Sequence, residues 1–101
     1  GGKLASPEFE MKSSFPHRSY KYFSELQTYW ETPNQQQRLL AKFQEVQEIF
    51  SKNGINNHYR TYPDLNFVNW KQAYYSNNYS RLNEIKQKYD PQNIFRYEQS
   101  I

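Results

Sequence analysis

The sequence predicts an α+β fold that is rich in helix. The expected elements are one long strand, an amphipathic helix of about 20 residues, a short extended segment and two helices near the carboxyl end. Two observations carry this prediction. Aromatic and polar residues alternate after Tyr20, and a period of two is typical of a strand. Apolar residues recur at steps of three and four after Pro33 and again after Asn78, which is typical of helices.

The predicted strand covers about ten residues and ends near Trp30. The side chains on one of its faces are Tyr20, Tyr22, Ser24, Leu26, Thr28 and Trp30. Glu25 and Gln27 share the opposite face, as residues two apart on a strand do. A single strand needs a partner, and little else in the sequence resembles one, so we expect a larger sheet to be missing.

The long helix has clear start and stop signals. Thr32 suits the N-cap, Pro33 suits the first turn, and Gln35 completes a capping-box pattern. The apolar stripe consists of Leu39, Phe43, Val46 and Phe50. Gly54 follows where a left-handed residue is needed, so we expect the helix to end there.

The carboxyl half begins with a strand or extended segment over residues 56–62, because Pro63 disfavours a helical conformation of the residue before it. A short helix is predicted for residues 68–75, and Asn77 or Asn78 is expected to cap the next one. The stripe of that last helix is Tyr79, Leu82, Ile85 and Tyr89. Asp90 and Pro91 are expected to end it.

Composition excludes several classes of protein. The chain has 101 residues, enough for one domain, and is 36% hydrophobic but 19% aromatic. It has no cysteine, which excludes disulfides and thiolate zinc sites. A net charge of +3 is too even for strong nucleic-acid binding. No apolar run is long enough to span a membrane, and no signal-peptide pattern occurs, which favours a cytoplasmic location over secretion.

The first nine residues read as cloning-vector sequence rather than natural protein. Lys3-Leu4, Ala5-Ser6 and Glu8-Phe9 are dipeptides that common cloning sites encode, and we expect residues 1–9 to be poorly ordered. Met11 is either a true start or an internal residue.

No self-contained catalytic site is evident from the residues alone. His17 and His58 lie far apart in the sequence, and no metal site is expected. Tyr59 and Tyr62 are of more interest, because a tyrosine can act as a general base where cations or a dry pocket stabilise the phenolate. The alternative is that these rings simply fill a small core.

Several motifs resemble the carboxyl-terminal region of the berberine-bridge-enzyme-like FAD-linked oxidases, the reticuline oxidase-like family. These motifs are Tyr59-Arg60-Thr61-Tyr62-Pro63-Asp64-Leu65, Trp70 with Ala73-Tyr74-Tyr75, Asn78-Tyr79-x-Arg81-Leu82, Asp90-Pro91-x-Asn93-x-Phe95 and Gln99-Ser100-Ile101. Upstream, Phe15-Pro16-His17-Arg18 and the residues around Glu25 resemble the last strand of the family's substrate domain. Thr61 departs from the pattern, because the family usually has Asn there.

The resemblance implies a larger two-domain flavoprotein of which this chain is a part. Residues 10–56 would contribute the end of the substrate-domain sheet and a covering helix, and residues 57–101 would pack on the FAD domain. The implied partners are these missing domains and a small-molecule substrate, with neither nucleic acid nor a membrane. We also expect self-association, because an unpaired strand with aromatic faces exposes apolar surface.

The implied reaction is oxidation of an alcohol, sugar or amine carbon, with hydride transfer to the flavin N5 and reoxidation by dioxygen to hydrogen peroxide. By similarity, Tyr59, Tyr62 or Glu25 would be the base and Gln27 would position the substrate. Tyr59, Thr61, Tyr62 and Asn93 would contact the cofactor. FAD is not expected on this chain alone, which has no Gly-rich phosphate loop and no cysteine.

Two alternatives stand beside this interpretation. The chain could be a small stand-alone, aromatic-rich binding or interaction domain, for nucleic acid or polysaccharide. It could also derive from a catalytically silent family member, because Thr61 departs from the pattern.

Overall fold

A computed structural model describes residues 2–10 and 12–101 of the chain. The α-helices are α1 (Pro7–Glu10), α2 (Pro33–Lys52), α3 (Trp70–Tyr75) and α4 (Tyr79–Tyr89), and 3-10 turns lie at Gly2–Ala5 and Ser76–Asn78. The chain divides into two compact units. The first comprises Asn57–Ile101 with the described residues up to Lys21, and the second comprises Tyr22–Asn56. No helix of the described residues is long and apolar enough to cross a membrane.

The prediction of an α+β fold with a long strand is wrong. The structure is helical, and none of the described residues forms a strand. Residues 22–30 have no regular structure, and their side chains are largely exposed. The physical reason is that alternation specifies only the two faces of a strand, whereas a strand also needs a neighbour to pair its backbone groups. No other described segment supplies that neighbour.

The predicted limits of the long helix are confirmed in the second unit. The Thr32 hydroxyl accepts a hydrogen bond from the Gln35 N–H, and the Gln35 side chain accepts one from the Thr32 N–H, which is the full capping box. At the other end Gly54 has a φ of 80°. The Gly54 N–H donates to Ser51 O at 3.0 Å, and the Ile55 N–H donates to Phe50 O at 2.9 Å, which is a Schellman motif.

The first unit is built around the sequence Ala73-Tyr74-Tyr75, its three buried core residues. The side chains that pack against this core are Phe67, Trp70, Tyr79, Leu82 and Ile101. Helix α3 begins at Trp70, two residues later than predicted, and Ser76 ends it with a φ of 49°. Helix α3 buries its last three residues, and Ala73 O accepts a hydrogen bond from the His58 N–H. Residues 58–64 therefore begin next to the unit's core.

The ends of α4 agree with the sequence only in part. Asn78 occupies the N-cap position, but its side chain makes no capping bond and donates instead to Ser14 O at 3.2 Å. The helix ends at Asp90, as predicted. The Asp90 carboxylate accepts hydrogen bonds from the backbone N–H groups of Ile94 and Phe95, at 2.8 and 3.0 Å, and is paired with the Lys86 ammonium. This pairing turns the carboxyl tail back beside α4.

Candidate functional site

The candidate site is the stretch of residues 58–64, here called the site segment. It contains three of the predicted site residues, Tyr59, Thr61 and Tyr62. The segment begins at His58, whose N–H donates to Ala73 O at 3.1 Å. This bond joins it to the last turns of α3. Beyond this point the segment is held at two residues, Arg60 and Asp64, and each has one partner on α3 and one in the carboxyl tail.

Arg60 is the first of these anchors. Its Nε donates to the Tyr75 hydroxyl at 2.7 Å, and its guanidinium lies over the Tyr97 ring, 5.1 Å from the ring centroid. A cation over an aromatic face is attracted by the ring quadrupole, so the two contacts act on the same side chain together. Arg60 therefore joins the site segment both to α3 and to the carboxyl tail.

Asp64 is the second anchor, and its backbone makes the contacts with α3 and with the carboxyl tail. The Asp64 N–H donates to the Tyr74 hydroxyl at 2.9 Å, and Asp64 O accepts from Gln99 Nε2 at 2.8 Å. The Tyr74 hydroxyl donates in turn to Gln99 Oε1 at 3.2 Å. Burial raises the pKa of the Tyr74 phenol above its ordinary value, so this hydroxyl remains a neutral donor.

Tyr59, Thr61 and Tyr62 lie on the site segment beside these anchors. A turn closes between the tyrosines, where the Tyr62 N–H donates to Tyr59 O at 3.0 Å, and their ring centroids are 5.9 Å apart. The Tyr59 ring also meets Phe15 at 6.1 Å. Tyr62 is 62% exposed and Thr61 is exposed, so both present their hydroxyl groups to the surroundings.

The other predicted site residues lie elsewhere. Glu25 and Gln27 are exposed residues of the second unit, and Gln27 Oε1 accepts a hydrogen bond from the Tyr29 hydroxyl. Asn93 is exposed in the tail after α4, has a φ of 52°, and donates its N–H to Asp90 O at 3.0 Å. The structure thus brings together Tyr59, Thr61 and Tyr62 on one turn.

The first unit contains both histidines, His58 at the start of the site segment and His17 near the amino end of the chain. Phe15 contacts the His17 ring at 5.2 Å, and the His58 ring packs against Phe67 at 4.0 Å. Burial lowers the pKa of both imidazoles, with the nearby Asp64 charge opposing the effect at His58. His17 Nε2 is buried and has no hydrogen-bond partner among the described residues. Nowhere among residues 2–10 and 12–101 does a group of three or more His, Asp or Glu side chains form a site that could hold a metal ion.

The donor set of the site segment fits part of an FAD molecule. The two phenol groups and the threonine hydroxyl can donate and accept hydrogen bonds, and the tyrosine rings are flat. Both properties suit the planar, hydrogen-bonding edge of a flavin ring. The FAD diphosphate is typically held by a helix N-terminus or a glycine-rich loop, and residues 58–64 contain neither. The residues fit the ring and not the phosphates.

No sequence pattern predicts a role for the residues that hold the segment. Tyr74, Tyr75 and Gln99 belong to motifs of the resemblance, and Arg60 follows Tyr59 in the sequence. Their bonds join positions 10 to 35 residues apart, and no local spacing rule predicts such pairs. The available signal was composition, because a buried polar group in a small core must find a partner.

Comparison with known proteins identifies the carboxyl half. Residues 58–101 match the family model for berberine and berberine-like proteins. The chain is 34% identical over 90 residues to the uncharacterized FAD-linked oxidoreductase YvdP of Bacillus subtilis, covering 89% of this chain and 20% of that protein. It is 32% identical over 116 residues to the monolignol oxidoreductase AtBBE-like 13 of Arabidopsis thaliana, covering 100% of this chain and 21% of that protein.

These alignments set the extent of the likeness. The chain spans about a fifth of the length of the curated relatives it matches. No solved structure matches it. The Tyr-x-x-Tyr-x-Asp pattern of the site segment falls within the matched residues, as does every partner that α3 and the carboxyl tail provide for it. The carboxyl-terminal region of this chain, residues 58–101, therefore matches the berberine and berberine-like family.

Proposed function

We propose that this chain supplies the carboxyl-terminal part of an FAD-linked oxidoreductase that oxidises an alcohol, sugar or amine carbon. The observation that carries the proposal is the site segment itself. Within a region matched to the family, two tyrosines and a threonine share one exposed turn that is fixed to a small core at both ends. Catalytic residues on a turn need such rigid support.

The chemistry that a bound FAD would supply is a hydride acceptor at N5 and a route for the electrons to dioxygen, with hydrogen peroxide as the product. The chain's own residues would hold the flavin ring and move the substrate proton. Thr61, Tyr62 and Tyr59 carry the hydroxyl groups suited to the ring edge, with Asn93 as a further amide. The diphosphate and adenosine would be held by the remaining part of the protein, because the site segment has neither a glycine-rich loop nor a helix N-terminus for them.

The proton acceptor would be Tyr59, Tyr62 or Glu25, with Gln27 positioning the substrate. Tyr62 has the greatest exposure of the two tyrosines and can meet a substrate without rearrangement. Tyr59 is half-buried between Phe15 and Tyr62, where loss of water would strengthen any hydrogen bond to it. Thr61 offers one hydroxyl where the family's Asn would offer both an amide donor and an acceptor.

The test uses the whole protein that contains this chain. We expect it to purify yellow with stoichiometric FAD, and to consume dioxygen and release hydrogen peroxide with a primary alcohol, a sugar or an amine. Replacing the base should lower kcat about 10²–10⁴-fold, so Tyr59→Phe, Tyr62→Phe and Glu25→Gln are compared with Tyr89→Phe, an exposed tyrosine of α4, as the control. A whole protein without flavin would refute the proposal.

The 101-residue chain alone is expected to carry no FAD and to be inactive. Stoichiometric flavin absorbance in the purified chain would contradict this expectation and favour a stand-alone binding domain. A salt-dependent shift of a labelled oligonucleotide by the chain would favour the same alternative.

A further inference from the structure

We propose that the carboxyl tail positions the site segment, and that Gln99 is the positioning residue through which it does so. The pair Tyr97 and Gln99 is called the tail clasp here, because each of the two contacts one anchor of the site segment. The inference rests on the proposed function for the importance of Thr61 and Tyr62. Its physical content, a tail that sets their conformation, does not depend on FAD.

The Gln99 side chain is fully engaged in the core of the first unit. It is 8% exposed, and no other polar residue of the described chain is buried to this extent. Its Nε2 donates to Asp64 O at 2.8 Å and to Phe67 O at 3.3 Å, and its Oε1 accepts from the Tyr74 hydroxyl at 3.2 Å. Both amide protons and the carbonyl oxygen are thus used on groups 25 to 35 residues earlier in the chain. A buried amide with every group satisfied specifies one arrangement of its partners.

The backbone at Gln99 supports the same interpretation. Gln99 has a φ of 62°, in the left-handed region that residues other than glycine rarely adopt. The Ser100 N–H donates to Tyr97 O at 3.0 Å, which closes a turn around this residue. Such a conformation persists only where the surrounding contacts hold it, and the surrounding contacts here are the three side-chain bonds of Gln99.

The clasp and α3 act on the site segment symmetrically. The guanidinium of Arg60 lies between Tyr75 and Tyr97, and the peptide groups of Asp64 lie between Tyr74 and Gln99. Only Thr61, Tyr62 and Pro63 lie between these anchors, and the ring of Pro63 fixes its own φ. A backbone movement of Tyr62 that carries Asp64 with it would break the bond from Gln99 to Asp64 O, so Gln99 restricts the conformations open to Tyr62.

The test is NMR spectroscopy of the 101-residue chain. Gln99→Met keeps the volume of the side chain and removes its three hydrogen bonds, and Tyr74→Phe removes the hydroxyl that bonds both Asp64 and Gln99. Glu98→Gln, at an exposed neighbouring position, is the control. We expect the Asp64 amide to exchange about tenfold faster in both variants, as for the loss of a hydrogen bond of ordinary strength. The Thr61 amide and Tyr62 ring resonances should shift in both variants and stay unchanged in the control.

The resonances of Tyr62 make the test specific for positioning. Neither Gln99 nor Tyr74 has a hydrogen bond or ring contact to Tyr62 that a substitution would remove directly, so a shift there must be transmitted along the site segment, from Asp64 or from Arg60. Unchanged Thr61 and Tyr62 resonances, with faster exchange at Asp64, would overturn the proposal and leave Gln99 a core residue only. The amides of α4, in the first unit, report whether a variant has unfolded that unit generally.

A measurement on the unsubstituted chain decides the matter if both variants unfold. The side-chain amide protons of Gln99 should exchange far more slowly than those of the exposed Gln36. Equal exchange rates would show an open clasp and overturn the proposal. None of these readouts needs flavin, so the clasp and the proposed oxidoreductase function can fail separately.

Discussion

Tyr74 and Tyr75 show how single residues serve packing and polar contacts together. Tyr74 is 1% exposed, yet its hydroxyl reaches the backbone of Asp64, and Tyr75 is 8% exposed while its hydroxyl accepts from Arg60. Burying a ring of this size is strongly favourable, and placing its hydroxyl on a partner avoids the penalty of an unsatisfied polar group. The aromatic composition of the chain therefore builds a core whose polar ends remain available to hold the site segment.

The two histidines give a prediction for stability against pH. Burial lowers the pKa of His17 and of His58 below the ordinary value of 6.5, so below that pH the unfolded chain binds more protons than the folded chain. The free energy of unfolding should therefore be constant just above pH 6.5 and should fall as the pH drops through the lowered pKa values. Urea titrations across this range measure the slope.

The histidine variants separate this effect from other groups. His17→Gln with His58→Gln should flatten the profile below pH 6.5. The bond from Lys86 lowers the pKa of the Asp90 carboxyl, so its contribution is lost only below 3.8, in a separate window. A free energy of unfolding that rises as the pH falls through 6.5 would show that the histidines are protonated more readily in the folded chain.

The site residues could be predicted from the sequence only where a motif named them. Tyr59 and Tyr62 belong to a recognisable pattern, and the structure places them on one turn. The role of Gln99 could not be predicted, because its side chain bonds to Asp64 and Phe67, which lie more than 30 residues earlier in the chain. Motif spacing identifies residues, whereas the hydrogen bonds that position them depend on tertiary packing.

The helices follow a different rule, because their limits are set by local bonds. The Thr32 capping box and the Gly54 stop of α2 both use residues within five positions of one another, and both were predicted correctly. Asn78 was expected to cap α4 by the same logic, but the preceding 3-10 turn and the bond to Ser14 leave it a different role. Local signals are reliable where nothing outside the helix competes for the capping side chain.

Gly54 provides a prediction for the end of α2. Its φ of 80° is strained for any side chain, and a Cβ there would meet nothing within 4 Å, so the cost of Gly54→Ala is purely one of backbone conformation. We expect Gly54→Ala to lower the free energy of unfolding by about 1 kcal/mol. Gly54→Asn should lower it less, because asparagine tolerates the left-handed region. Denaturant unfolding of both variants measures the difference, and equal losses would contradict the argument.

The predicted strand failed for a reason that applies to elements in general. Residues 22–30 do alternate, but a strand exists only as part of a ladder, and its register and edges depend on a partner. The helix α2 closes its own hydrogen bonds and needs no such partner. Alternation was therefore a weaker predictor in this sequence than helical periodicity with caps.

The chain as a whole has a small core for its length. Among the described residues three apolar ones are buried, Ala73, Tyr74 and Tyr75, and all lie in the first unit. No residue of α2 is fully buried, although its apolar stripe was predicted correctly as helical. Periodicity indicates which residues share a face, but what covers that face is a property of the assembled protein.

Exposed aromatic side chains therefore lead to a last prediction, that the isolated chain self-associates. Tyr22 is 90% and Tyr29 77% exposed, and apolar surface of this kind gains free energy by leaving water. The average mass in sedimentation equilibrium should rise above 12.3 kDa with concentration. Tyr22→Ser with Tyr29→Ser should shift the association to higher concentration, whereas Gln36→Ser, at an exposed polar position, should not. A single species of 12.3 kDa at every concentration would show that these rings are compatible with a monomer in water.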